Sequence, residues 1–199
     1  MTIDKPYGLI MCGGNSSRMG IDKSKLVYHS KPQCYYLYEM MQSICEKVFI
    51  SCNEEQSTRI KPEYELIIDL PAYKNIGPLA GLLSAFTRFP KRHFLITGCD
   101  YPYLNVDEMI RFILSMEGND RPAAFYNNAE HIYEPLLGHY PYTLFEPLKK
   151  MFTAKQYSLQ SILCKIEAGK YLPSNEKSSC SVDTYEDYLK VKRRFIDEG

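Results

Sequence analysis

The chain carries no net charge: 24 Lys and Arg balance 24 Asp and Glu. That removes the long-range field by which a protein holds nucleic acid or an anionic membrane, so any anion site must be local. No apolar run approaches the roughly 20 residues that a membrane span needs. The first residues, MTIDKPYG, lack the basic-then-apolar order of a secretory leader. Cys-x-x-Cys pairs are missing, and the cysteine count is seven, an odd number. Reduced thiols in the cytoplasm fit this better than a disulfide framework or a zinc site. Internal repeats and low-complexity linkers are absent too. What remains is a chain of 199 residues, 45% hydrophobic and 24% charged, the size and balance of one α/β domain.

Apolar runs alternate with helical patterns. Tyr7–Met11, KVFISC, ELIID and HFLITG read as strands. Between them, residues 33–47 read as a helix opened by Pro32, and GPLAGLLSAFTRF as a helix with Pro78 in its first turn. NVDEMIRFILSM is a helix with Asn105 as N-cap. Further on, RPAAFYN and EPLLGHY read as strands; PYTLFEPLKKMF, SLQSILCKI and YEDYLKVKRRF read as helices. This order predicts a Rossmann-like three-layer α/β/α fold around a mostly parallel sheet. Ligands of such sheets bind beyond the carboxyl ends of the strands. Polar residues fall at those ends: the Gly13–Gly14 turn, Asn53, Asp69 and Asp100.

The first of these opens the stretch IMCGGNSSRMGIDKSK. Gly13 and Gly14 let backbone N–H groups approach an anion closely, and Arg18 and Lys23 add cationic donors. The alternative is a solvated loop. There is no G-K-[ST] and no G-x-G-x-x-G spacing, which excludes a P-loop ATPase and the usual dinucleotide fingerprint. A Ser-His-Asp or Cys-His arrangement is also missing, and none of the four histidines sits in a motif. Asp100, in GCDYPYL, is either a turn residue that caps its own backbone or a Mg²⁺ ligand. Asp183 is a second candidate carboxylate, although its spacing suits the N-cap of the last helix. Gly77 and Gly81 flank a helix start and permit close approach of either a ligand or another backbone.

Together these segments resemble the molybdenum cofactor guanylyltransferase family, whose pattern is roughly L-A-G-G-x-S-x-R-M-G-x-D-K, then GPLAG, then Cys-Asp-x-Pro. Here they read MCGGNSSRMGIDK, GPLAG at Gly77–Gly81, and CDYP at Cys99–Pro102. The match is close over the first half and looser beyond it, through EPLLGHY and SVDTYEDY. The resemblance implies a single nucleotidyltransferase domain over 1–199, with a nucleotide-binding half at about 1–116 and an acceptor-binding half at about 117–199. It implies transfer of GMP from GTP to the terminal phosphate of molybdopterin, with release of pyrophosphate. Arg18, Lys23 and Asp100 are then catalytic. Met11, Cys12, Gly13, Gly14, Lys23, Asn53, Asp69, Gly77, Pro78, Gly81 and Asp100 line the nucleotide. Asp100, with Asp183 as a second ligand, holds Mg²⁺.

Lys23 is expected to face solvent when GTP is absent. Transient contact with cofactor-biosynthesis proteins or molybdoenzymes would follow, with neither nucleic acid nor membrane involved. The alternatives are a cytidylyltransferase or sugar-phosphate nucleotidyltransferase, or a non-catalytic nucleotide-binding partner. The chain departs from the family pattern at Cys12, which stands for alanine, and at Ser181 and Asp183, which stand for asparagines. Cys12 and Cys99 are placed to approach each other across neighbouring strand ends.

Overall fold

A computed structural model describes residues 5–12, 23–116 and 120–197. Seven strands form one sheet in the order β3-β2-β1-β4-β6-β5-β7. They are β1 (Tyr7–Met11), β2 (Lys47–Cys52), β3 (Leu66–Ile68), β4 (Phe94–Gly98), β5 (Ala123–Asn127), β6 (Ile132–Tyr140) and β7 (Gly169–Tyr171). All pairs are parallel except those of β6, which runs antiparallel to both β4 and β5. The cause is local: a short turn joins β5 to β6, and a turn that short can return the chain only antiparallel. Asn127 Oδ1 accepts the N–H groups of Ala129 and Glu130 in that turn.

Helices cover both faces. α1 (Gln33–Gln42) and α4 (Val106–Ser115) pack on the side of Ile10, Ile50 and Leu95. α2 (Glu54–Ser57) is a single turn after β2. α3 (Pro78–Arg88), α5 (Phe145–Thr153) and α6 (Leu159–Lys165) pack on the side of Leu9, Phe49 and Ile96. Every residue of β1 and of β4 is buried, because both strands are sandwiched. Full burial of one such side chain contributes about 1.5–3 kcal/mol. α7 (Tyr185–Asp197) docks apart, through Tyr188, on Leu26 and Tyr28.

The expected architecture is thus present, with differences at the edges. α1 stops at Gln42 rather than running to residue 47, because Ser43 caps it through Met40 O and Lys47 must already pair with Tyr7. The strand expected over ELIID keeps only Leu66–Ile68. α2 and β7 were not legible: the first is one turn, and the second is three residues held by pairing with β5.

Candidate active site

The strand order reverses at β1, with β2 and β3 on one side and β4 on the other. A crevice opens where neighbouring strands continue in opposite directions. Met11 pairs with Gly98, so the residues that follow, Cys12 and Cys99, emerge side by side. Their sulfurs lie 2.8 Å apart, both buried. Burial raises the Cys12 thiol well above its ordinary range, and hydrogen bonds with Cys34 and Cys99 add to this. The thiolate is therefore disfavoured.

Asp100 follows directly. Its carboxylate folds back over Gly98, where a Cβ would stand 2.4 Å from Oδ1. Only glycine leaves that space. Oδ2 receives Lys23 Nζ at 3.4 Å, while Oδ1 is buried and has no hydrogen-bond partner among the described residues. Burial raises the Asp100 carboxyl, and the Lys23 charge opposes that rise. Lys23 Nζ also binds Asp183 Oδ1 at 2.7 Å. Burial works against the ammonium, but Asp100 and Asp183 outweigh it and hold Lys23 above its ordinary value. Lys23 is therefore not solvent-facing: its side chain is 23% exposed and shared between two carboxylates.

The C-terminal segment reaches this point through the backbone. Val182 N–H donates to Asp100 O at 2.8 Å, and the Val182 side chain joins the Leu26–Tyr188 cluster. Asp183 is thereby turned toward Lys23. The spacing that suited Asp183 as the cap of α7 misleads, because Thr184 does that work: its Oγ1 accepts the Asp187 N–H.

A lysine between two carboxylates, an unpartnered carboxylate oxygen and a reversal of strand order form a centre for a charged ligand. The model of the MobA-like NTP transferase domain matches residues 8–168. The chain belongs to the MobA-like NTP transferase family. It is 24% identical over 192 residues to a molybdenum cofactor guanylyltransferase of Campylobacter jejuni, covering 96% of this chain and 98% of that one. It is also 29% identical over 186 residues to a molybdenum cofactor biosynthesis bifunctional protein of Synechocystis, of which it spans 53%. Among solved structures, molybdopterin-guanine dinucleotide biosynthesis protein A from Archaeoglobus fulgidus superposes with a TM-score of 0.76 at 18% identity, over 96% of this chain and 99% of that one. A nucleotidyl transferase from Methanothermobacter gives 0.72.

The other sequence-predicted residues of this NTP transferase fall as follows. Gly13, Gly14 and Arg18 lie outside the described residues. The Met11 side chain is core, so only its backbone faces the crevice. Asn53 caps α2: its Oδ1 accepts Gln56 N–H, while Gln56 Oε1 accepts Asn53 N–H. Gln56 Nε2 then donates to Cys12 O, fixing the chain where it leaves β1. Gln56 was missed, although Asn-x-x-Gln after a strand is the capping-box pattern.

Asp69 follows β3, with Oδ1 buried and unpartnered among the described residues; burial lifts its carboxyl to about 6. It stands three strand spacings from β4, about 14 Å. Gly77 adopts φ 66°, which favours glycine, and Pro78 begins α3 beside it. Gly81 faces inward: a Cβ there would meet Ser51 Oγ at 2.1 Å and Met11 Cε at 3.0 Å. Its smallness serves helix–sheet contact. Two residues that lie in the family-like segments CDYP and EPLLGHY but were not singled out also reach the site: buried Tyr101, whose Oη donates to Glu134 Oε2 at 2.8 Å, and Glu134 itself on β6. Among the described residues no group of three or more His, Cys, Asp and Glu is spaced to hold a metal ion by itself.

Proposed function

We propose that the protein transfers GMP from GTP to the terminal phosphate of molybdopterin and releases pyrophosphate. The observation that carries this reading is Asp100. One of its oxygens is paired with Lys23, and the other is buried without a partner in the cradle of Gly98. The names of the Campylobacter and Synechocystis relatives supply the substrate class.

In the reaction a phosphate oxygen of molybdopterin attacks the α-phosphorus of GTP, and the bond to the β-phosphate oxygen breaks. Such a transfer needs alignment and charge neutralisation more than covalent help. Gly13 and Gly14 hold phosphates through their N–H groups. Arg18 and Lys23 neutralise the departing pyrophosphate, with Lys23 drawn from Asp100 and Asp183 toward it. The unpartnered Asp100 oxygen fits a divalent cation, with Asp183 close by; Mg²⁺ held there would offset the phosphate charges and leave its other positions to substrate and water. Asp69, three strands away, accepts hydrogen bonds from the guanine edge or the ribose. Asn53 acts through Gln56 on the exit of β1, and Gly77 with Pro78 presents the first turn of α3. Work in the cytoplasm and brief contact with cofactor-biosynthesis proteins or molybdoenzymes belong to the same reading. Among the described residues no helix is long and apolar enough to cross a membrane.

The test is pyrophosphate release from GTP with molybdopterin and Mg²⁺, wild type against Asp100→Ala. Equal rates would refute the mechanism. Thermal stabilisation by CTP or UTP and not by GTP would move the protein to another nucleotidyltransferase activity.

A further inference from the structure

Glu134 lies on the one antiparallel strand, and for that reason near the start of β6 rather than beyond its end. β6 pairs with β4 through Thr97↔Leu137. Continuing that register by three residues sets Glu134 level with Asp100, one strand spacing of about 4.8 Å farther from β1. The far side of Asp100 is therefore its place, opposite to the side on which Asn53 and Asp69 stand. Oε2 accepts from Tyr101 Oη at 2.8 Å, while Oε1 takes no hydrogen bond from the described residues and is open to solvent, unlike the buried Oδ1 of Asp100. Tyr101 is fixed in turn: its ring is buried, and its carbonyl accepts Gln33 Nε2. The carboxylate thus has a set direction and one oxygen to spare.

The surroundings restrict what it can receive. Burial raises the Glu134 carboxyl; Tyr101 opposes this, and the charges of Asp100 and Asp183 add to the rise. A third negative group beside a phosphate-transfer centre repels phosphate, so phosphate is not its ligand. It stands outside any metal-holding group of the described residues. What relieves a half-buried carboxylate in acidic surroundings is a pair of N–H donors.

We infer that Glu134, oriented by Tyr101, is the residue that recognises the acceptor: it takes N–H donors of an aminopyrimidinone ring edge while the acceptor's phosphate lies at Asp100. This rests on the proposed transfer to molybdopterin, whose pterin carries such an edge. Guanine carries the same edge, so the two sources must be separated by experiment.

Glu134→Gln is the decisive variant. Its amide oxygen can still accept from Tyr101 Oη, so a purely structural role survives the change, while the charge and the second acceptor are lost. The expected result is a rise in KM for molybdopterin of about 10- to 100-fold, the range for a hydrogen bond to a charged group. KM for GTP, and the GTP-induced shift in melting temperature, should stay within about twofold of wild type. Tyr101→Phe should raise the molybdopterin KM in the same direction by less. A raised GTP KM would mean that Glu134 reads guanine, and would overturn the assignment. Unchanged KM values, or a loss of kcat alone, would overturn it as well and leave Glu134 as a prop for Tyr101. Wild type is the control: if it fails to use molybdopterin, the function proposed above falls and this assignment with it; if it succeeds and Glu134→Gln matches it, only the assignment falls.

Discussion

The two sides of the sheet deliver residues to the site by different routes. On the side of β3, β2, β1 and β4 the strands run parallel, so every strand brings its C-terminal end to one edge. Cys12, Asn53, Asp69 and Asp100 all stand just past a strand. On the side of β6, β5 and β7 the rule breaks. β6 runs the other way and brings its beginning to that edge, as Glu134. Asp183 arrives by neither route: the backbone bond from Val182 to Asp100 and the packing of Val182 on Leu26 and Tyr188 carry it in. The parallel side binds by topology, and the mixed side by tertiary contact.

The sharpest way to break this comparison is to remove one carboxylate from each side. Asp100→Ala should lower turnover by about 10³-fold or more, as expected for loss of a charge-stabilising group at the reacting phosphates. Asp183→Ala should cost about 10-fold, because that side chain is 57% exposed and Lys23 keeps its Asp100 partner. Steady-state pyrophosphate release measures both. Equal losses would mean that the return segment contributes as much as the strand end.

Lys23 joins the two sides, and it corrects the expectation of a solvent-facing side chain. Lys23→Ala should lower turnover by about 10²-fold. It should also destabilise the ligand-free protein by about 1–2 kcal/mol, because Asp100 is left as an unpaired, mostly buried charge. Adding Asp100→Asn should return most of that stability and none of the activity. Denaturant titration of the single and double variants checks this; additive losses would show that the pair is uncoupled.

These contrasts also explain what was legible in the sequence. Strand ends of the parallel side are visible because a buried apolar run stops at a polar residue, as ITGCD does at Asp100. Glu134 carries no such mark: it opens EPLLGHY, which reads as a strand and as a loose match to the family, and only the antiparallel pairing brings it to the edge. Asp183 suited the cap of α7, and local spacing could not reveal that Thr184 takes that place. GPLAG was legible as a segment but not in its parts. Gly77 serves a positive φ, whereas Gly81 makes room for Ser51 and Met11.

Gly81 accordingly gives a prediction about packing. Gly81→Ala should destabilise by about 2–3 kcal/mol through overpacking against β2 and β1. Ser51→Ala should restore part of the loss, because the nearest obstacle, the Ser51 hydroxyl, is removed while its Cβ remains 3.2 Å away. A Gly81→Ala protein of normal stability but weakened GTP binding would instead make Gly81 a ligand contact.

The smallest effect separates the two sides by pH. Asp69, on the parallel side, titrates at about 6 when folded, because burial penalises its charge. It is near 3.9 when unfolded. The native state therefore holds the extra proton between pH 4 and 6, and Asp69 costs stability above that window. His139, buried on β6, is the opposite case: burial lowers it to about 4, against about 6.5 unfolded. Its stabilising neutral form is complete above pH 6.5 and is lost as pH falls toward 4. In wild type the two oppose each other between pH 4 and 6. Asp69→Asn should gain on the order of 1 kcal/mol at pH 7, after allowance for solvent screening at this partly exposed group, and the gain should vanish below pH 4. His139→Phe should remove a loss of similar order in acid. Urea midpoints at pH 4, 5.5 and 7 read both variants, and slopes of the same sign would contradict the opposite directions in which burial shifts these two groups.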